Sequence, residues 1–275
     1  MKKKITDILL VLIFVIGLSL LLYPTVANWY NSRHSSFVIL DYNTTVSHVD
    51  NKKYEEIWQK AREFNASHAS VGVSVSKERD WNSYLEQLSV DDRELMGYVE
   101  IPSINISLPI YHGTDEESLA VGVGHIEWTS LPTGNIGTHA ALSSHRGLPS
   151  ARLFTDLDRV VVGDVFILNI LNEVFTYEVD QILIVLPEDM EALAIDPDKD
   201  LCTLITCTPY GINSHRLLVR GHRVANQMGS AAVRVPADAF QIEPVTVAPI
   251  VAVPILLVLV FWVLITTRKG GKHEN

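Results

Sequence analysis

Cysteine and basic residues are scarce in this chain. Only Cys202 and Cys207 occur among 275 residues, too few for a disulfide-stapled miniature scaffold or a cysteine-rich zinc module. Lysine and arginine number 22 against 32 aspartates and glutamates, a formal net charge of −10. That balance argues against affinity built on nucleic-acid phosphates. General disorder is excluded too, because 47% of residues are hydrophobic and only 20% charged. No internal repeat is visible.

Charge is missing altogether from two stretches. None lies between Asp7 and Arg33, where 8–23 reads ILLVLIFVIGLSLLLY behind Lys2, Lys3 and Lys4. None lies between Glu243 and Arg268, where an apolar run over 245–267 precedes Arg268, Lys269 and Lys272. A helix of about 20 apolar residues crosses a bilayer core, and both runs qualify, the first with its weakly polar flanks. Lysine and arginine stay on the cytoplasmic side, so both tips are expected inside and the middle outside. The first run also fits a secretory signal with small residues at Thr25, Val26 and Ala27, so cleaved signal and retained anchor both stand open.

The expected organisation is a cytoplasmic tip with signal or anchor helix over 1–33, external helices and a long loop over 34–96, and a strand-rich domain over 97–226. A linker over 227–244, a membrane helix over 245–267 and a basic cytoplasmic tail over 268–275 follow. Each tip sums to about +2, which leaves about −14 on the external part, so bulk charge does not recruit an anionic partner.

Within 50–66, Tyr54, Ile57, Trp58, Ala61 and Phe64 recur at three and four, which predicts an amphipathic helix behind a cap at Asp50 or Asn51. The small-residue stretch 67–77 reads as a long loop, and 82–96 as a second short helix. From Gly97 onward the texture is β. Alternating or apolar runs occupy 97–110, 138–144, 165–171, 174–180, 181–186, 201–207 and 216–224, with a helix expected at 150–157. Seven or eight short strands with few helices predict a mainly β domain, a closed barrel or a sandwich.

The chemistry concentrates in 204–221, a strand, a turn and a return strand. A turn centred near Gly211 and Ile212 sets Cys207 opposite Arg216, and directly opposed residues project to one face. A permanent guanidinium charge beside a thiol favours the thiolate or holds an oxyanion. A thiol nucleophile also needs a proton acceptor. His145 ends the strand 138–144 within Ser143-Ser144-His145-Arg146-Gly147, where a rigid element positions the ring and a loop leaves access. On these residues alone, a buried inert cysteine and a Cys-His pair both stand open.

The same residues resemble the signature of the sortases, membrane-anchored cysteine transpeptidases of Gram-positive surfaces. Thr203-Leu204-Ile205-Thr206-Cys207 is similar to the family's TLxTC element, His215 to Arg220 to its arginine strand, and Ser144 to Gly147 to its histidine strand. Gly97 to Pro102 and Leu108 to Ile110 are similar to its first strands. The TCTPYG turn, the N-terminal extension and the C-terminal apolar run resemble class C, the pilin-polymerising branch. The resemblance implies a sortase-type closed β-barrel of about eight strands with a few short helices, an N-terminal helical and lid extension, and one or two terminal membrane helices.

Roles follow from the resemblance as expectations. Cys207 is the nucleophile toward an LPxTG-like sorting signal, His145 its acid/base partner, and Arg216 positions substrate or stabilises the oxyanion. The partners implied are the membrane and pilin subunits that carry sorting signals and acceptor lysines. No nucleic acid, metal or organic cofactor is implied. Class C lids often carry an Asp-Pro-aromatic tip that is absent upstream of the barrel here, and Asp80-Trp81 is its candidate reduced form, with Asp80 on Arg216 and Trp81 over Cys207. A wall-anchoring sortase and a catalytically silent membrane-tethered assembly module are the alternatives.

The remaining candidates weigh less. In an extended strand Cys202 and Cys207 lie roughly 16 Å apart on opposite faces, so no disulfide joins them and Cys202 is expected in the core. His112, His125 and His139 lack a zinc-type spacing and are expected to be surface or internally satisfied histidines.

Overall fold

The computed structural model of the chain describes residues 2–68, 81–90, 94–226 and 253–254. The chain divides into two compact units, of which 31–233 holds the folded domain. The other contributes residues 2–30 of helix α1, Lys2–Ser47. By length and composition α1 can cross a membrane, and Leu9, Leu12, Ile16 and Leu20 on it are exposed. The expected membrane helix at 245–267 lies outside the described residues apart from Val253 and Pro254, which are helical; of the loop expected over 67–77, Ser67 and His68 are helical and the rest lies outside the described residues.

Helix α1 runs past the expected boundary at residue 33 because its last turns have a face to bury. Tyr42 and Val46 join the domain core. The Tyr42 hydroxyl donates to Met96 O at 2.6 Å and accepts from Leu171 N at 2.7 Å. Helix α2, Asn51–His68, follows the predicted stripe: Tyr54, Trp58 and Ala61 are buried. Asn65 completes that face. Its amide donates to Leu131 O at 2.9 Å and accepts from Leu131 N at 2.8 Å, which ties α2 to a loop that would otherwise carry unpaired buried backbone.

Eight strands close into a barrel in the order β1-β2-β3-β4-β7-β8-β6-β5. They are β1 Leu95–Ile101, β2 Ile106–His112, β3 Val123–His125, β4 Thr138–Ser143, β5 Val165–Ile170, β6 Glu173–Val185, β7 Asp200–Thr208 and β8 His215–Val224. The β2–β3 and β4–β7 pairs are parallel and the others antiparallel. Closure settles the choice between barrel and sandwich and leaves no free edge. Val99, Ile110, Leu142, Phe166, Leu168, Tyr177, Cys202, Leu204 and Val219 fill the core.

The structure corrects the expected elements in three places. The helix expected over 82–96 is only α3, Trp81–Leu85, because Leu95 and Met96 enter β1 and bury there. The helix expected at 150–157 is a series of turns ending in a 3-10 turn at Leu157–Arg159. Leu153 sits there at φ +43, and Phe154 N donates to His145 O rather than along a helix. The two runs 174–180 and 181–186 are one strand, β6; its register shifts between Val179 and Gln181, so the polar pair that reads as a turn is a bulge.

Two elements escaped the pattern search altogether. One is β3; the other is α4, Glu116–Val121, capped by Asp115, whose carboxylate accepts from Glu117 N and Ser118 N at 3.0 Å each. Strand β3 is too short to alternate, and Gly124 lets it pass Gly113, whose carbonyl oxygen would stand 2.2 Å from a Cβ there.

Candidate active site

Strands β4, β7 and β8 are neighbours, and each brings one predicted site residue to the same end of the sheet. Cys207 pairs with Arg216 across the β7–β8 hairpin, the register counted from the turn. On the other side Ser143 pairs with Ile205, and Ser144 N donates to Ile205 O at 3.1 Å, so the parallel ladder continues past the strand end. Carried two residues further, that register sets His145 level with Cys207. The order across the sheet is therefore histidine, cysteine, arginine. All three are partly exposed.

Strand alternation decides which face carries the thiol. Cys202 and Leu204 belong to the main core, whereas Ile205 belongs to a separate cluster with Ala141, Leu193 and Leu218 on the outside of the barrel. Cys207 shares the Ile205 face. Ile126, Trp128, Leu183, Val185 and Ala192 border that outer cluster, and the β6–β7 connection supplies Leu193 to cover it. A buried apolar cluster thus backs the outer face of β4, β7 and β8, the face that carries the thiol.

The side chains of the three residues differ in how they are held. The Arg216 Nη1 donates to Asn213 O at 3.3 Å and to His215 O at 3.2 Å, so its own turn orients the guanidinium. His145 is fixed through its backbone, its carbonyl accepting from Phe154 N at 3.1 Å. Behind the site, Thr206 Oγ1 donates to Ser144 O at 2.8 Å, and Arg146 Nη1 donates to Thr208 Oγ1 at 3.2 Å. Ser144 Oγ in turn donates to Gly122 O at 2.7 Å. The sequence reading missed these ties. Their signal is faint: threonines alternate about Cys207, but nothing in the order of residues links Arg146 to Thr208.

Gly147 lies at φ +78, and a Cβ there would stand 2.9 Å from the Tyr210 ring. The chain after His145 and the β7–β8 turn therefore close on each other, with Tyr210 and Ile212 exposed at the lip. Of the two lid residues, Asp80 lies outside the described residues. Trp81 sits against Gly113 and Tyr84, its ring 5.3 Å from the tyrosine ring. Gly113 follows β2, which is three strands from β7, so Trp81 is seated beside β2 rather than beside Cys207.

The remaining cysteine and the three histidines considered for zinc are internal. Cys202 is fully buried and unbridged, and burial, with Asp200 adding to it, pushes its thiol well above the usual range. His139 contacts Ala194 O at 2.9 Å and Thr203 Oγ1 at 2.7 Å, which pins the β6–β7 connection to β4. Burial lowers its pKa, as it does that of His112, whose ring nitrogens face Glu94 O and Gln87 O at 2.9 and 2.7 Å. His125 meets the Tyr84 hydroxyl at 2.8 Å and Ser130 O at 2.9 Å. Among the described residues no group of three or more His, Cys, Asp or Glu is placed to hold a metal ion.

Comparison with known proteins points one way. A sortase-domain family model matches residues 99–224. Sortase C1 from Streptococcus agalactiae has a crystal structure that is 50% identical to this chain with a TM-score of 0.67, covering 69% of this chain and 98% of that one. A Streptococcus pneumoniae sortase C, described in terms of catalysis and pilin substrate specificity, is 44% identical with a TM-score of 0.61, covering 68% of this chain and 96% of its own. Sortase A of Streptococcus agalactiae is 27% identical over 205 residues, 73% of this chain and 77% of the relative.

Proposed function

The chain belongs to the sortase family of cysteine transpeptidases, in its class C branch, and from that premise we propose that it joins pilin subunits at the outer face of the cell membrane. The observation that carries the reading is the order His145, Cys207, Arg216 across three adjacent strands.

In the first half-reaction the Cys207 thiolate attacks the threonyl carbonyl of an LPxTG-like signal, and Arg216 faces the oxyanion. The tetrahedral adduct collapses to a thioester as His145 gives its proton to the departing glycine amine. In the second half-reaction a lysine amine of the next pilin attacks the thioester. His145 takes the proton, Cys207 leaves as thiolate, and an isopeptide bond remains. The thioester retains much of the acyl-transfer potential of the cleaved bond, so no nucleotide is consumed. The apolar cluster on the face that carries Cys207 supports this use, since apolar surroundings suit the leucine and proline of such a signal and disfavour water that would hydrolyse the acyl group. In this reading α1, and the apolar run at 245–267, hold the domain to the membrane, with the basic C-terminal tail inside.

The full chain in detergent, mixed with a protein ending in an LPxTG-type signal, tests the reading by intact mass. An acyl adduct on Cys207 that fails to form in His145→Ala supports it, and transfer to a pilin lysine supports polymerisation. Transfer only to a peptidoglycan-type amine would make the enzyme a wall-anchoring sortase. No adduct across several signals would make it a silent assembly module.

A further inference from the structure

Each residue beside Cys207 in the chain is tied to a residue beside His145. Thr206 Oγ1 donates to Ser144 O at 2.8 Å, and Arg146 Nη1 donates to Thr208 Oγ1 at 3.2 Å. Strand alternation sends the side chains of Thr206 and Thr208 to the face opposite Cys207. Both ties therefore lie behind the reacting pair, on the side away from the outer cluster. They brace the pair from above and below its level.

The two ties are unequal. The first joins neighbouring strands inside the sheet, where the backbone ladder already sets the spacing. The second reaches beyond the last of those backbone bonds, from Ser144 N to Ile205 O, to where His145 has left the strand and the ladder gives no further help. There the Arg146 side chain, only 9% exposed, spans from Thr208 to Asp158, whose carboxylate pairs with Nη2. Asp158 belongs to the 3-10 turn Leu157–Arg159, and the same connection supplies Phe154 N to His145 O and Thr155 Oγ1 to Gly147 N, the latter at 3.1 Å. His145 thus has its backbone held from the 150s and its level against Cys207 held by Arg146.

We propose that Arg146 is a positioning residue for acyl transfer, which sets the separation of His145 from Cys207 by bridging Thr208 and Asp158 on the reverse face of the sheet. The proposal rests on the assignment of Cys207 and His145 as nucleophile and acid/base. Arg146 touches neither substrate nor reacting atoms in this role. A planar guanidinium is suited to it because two of its donor nitrogens reach two acceptors at a fixed angle, which an ammonium on a flexible stem does not reproduce. Proton transfer between the pair depends on that separation, and misplacement by about 1 Å costs on the order of a hundredfold in rate.

The test uses the full chain in detergent, with Thr208→Val, which removes the acceptor at nearly constant volume, Arg146→Lys, and the two combined. Thermal unfolding and the fraction of titratable Cys207 normalise each variant to folded enzyme. Expected is a fall in kcat for thioacyl formation of about ten- to a hundredfold with KM within about twofold. The double variant falls no further than the single ones. The pH profile of Cys207 alkylation by iodoacetamide moves toward that of His145→Ala, which loss of packing alone would not cause.

A variant pair with unchanged kcat and an unchanged alkylation profile, in a chain whose wild type still forms a His145-dependent adduct, overturns the role of Arg146 alone. Strictly additive losses that follow the melting temperature overturn it as well, since they would make Arg146 a stabilising residue only. A wild-type chain that forms no adduct removes the assignment of Cys207 and His145, and the proposal with it.

Discussion

The Tyr177 hydroxyl donates to Asp200 Oδ1 at 3.0 Å, while the buried Asp200 Oδ2 accepts no hydrogen bond among the described residues. Asp200 opens strand β7, seven residues before Cys207, and Arg223 approaches its Oδ2 only to 3.9 Å. Burial raises its pKa from 3.8 to about 6, against the opposing pull of Tyr177, Arg223 and Thr138.

A raised carboxyl pKa means that the folded chain holds the proton more tightly than the unfolded one. The resulting stabilisation is fully present below pH 3.8, declines as pH rises toward about 6 and is gone above it. Asp200→Asn keeps an acceptor for Tyr177 and carries no charge to bury. It is expected to stabilise the domain at pH 8 by up to about 3 kcal/mol, with the gain vanishing near pH 4. Melting temperatures at pH 4, 6 and 8 check this; a shift of equal size at all three would refute the electrostatic account.

Arg216 faces Cys207 from the start of β8, where the preceding turn already orients its guanidinium. Arg216→Lys keeps the charge and loses the planar fork. Thioacyl formation should fall by on the order of 10²-fold through kcat, while Cys207 remains open to a small alkylating reagent. Equal losses in both assays would instead mean that the arginine serves to ionise the thiol.

Gly147 answers two constraints at once, its φ of +78 and the Tyr210 ring 2.9 Å from any Cβ. Gly147→Ala should cost about 1–2 kcal/mol of stability and slow the reaction. Adding Tyr210→Ala relieves the contact but not the backbone strain, so the double variant should recover part of the loss. Full recovery would show that crowding alone matters.

Asn65 binds both backbone groups of Leu131 as well as Thr133 Oγ1, 3.0 Å away. Asn65→Ala leaves those buried groups unpaired and is expected to destabilise the domain by about 2–3 kcal/mol. Alkylation of Cys207 per folded molecule should not change, since α2 joins the far side of the β3–β4 loop. A changed rate would reveal coupling between that loop and the site.

The lid reading of Asp80 and Trp81 is also measurable. Trp81 is 47% exposed and packs on Gly113 and Tyr84. If the ring only anchors α3, Trp81→Ala lowers stability by about 1 kcal/mol and leaves the alkylation rate of Cys207 within about twofold. A large increase with the combined Asp80→Ala and Trp81→Ala change would establish a lid that leaves this seat to cover the thiol.

Local order along the chain was enough for much of this protein. The spacing of Tyr54, Trp58 and Ala61 specified α2, because a helix buries what recurs at three and four. The turn between β7 and β8 specified the Cys207–Arg216 pair, because a hairpin's register follows from its turn. What failed locally failed for tertiary reasons: Met96 is drawn into β1 by the core, Asp180 is absorbed as a bulge with Arg220 bonded to it at 2.9 Å, and β3 exists only because β2 and β4 flank it.

The sequence by itself determined which residues are candidates for the chemistry and that a thiol and a guanidinium face each other. Short-range geometry settles both, since neighbours on a hairpin need no other part of the chain. Only the tertiary structure decided that β4 lies parallel to β7 and brings His145 level with Cys207, 62 positions along the chain. It alone also placed Arg146 between Thr208 and Asp158. A parallel neighbour is joined through a crossover whose path no local pattern encodes, so its register is set by the closed barrel and its core.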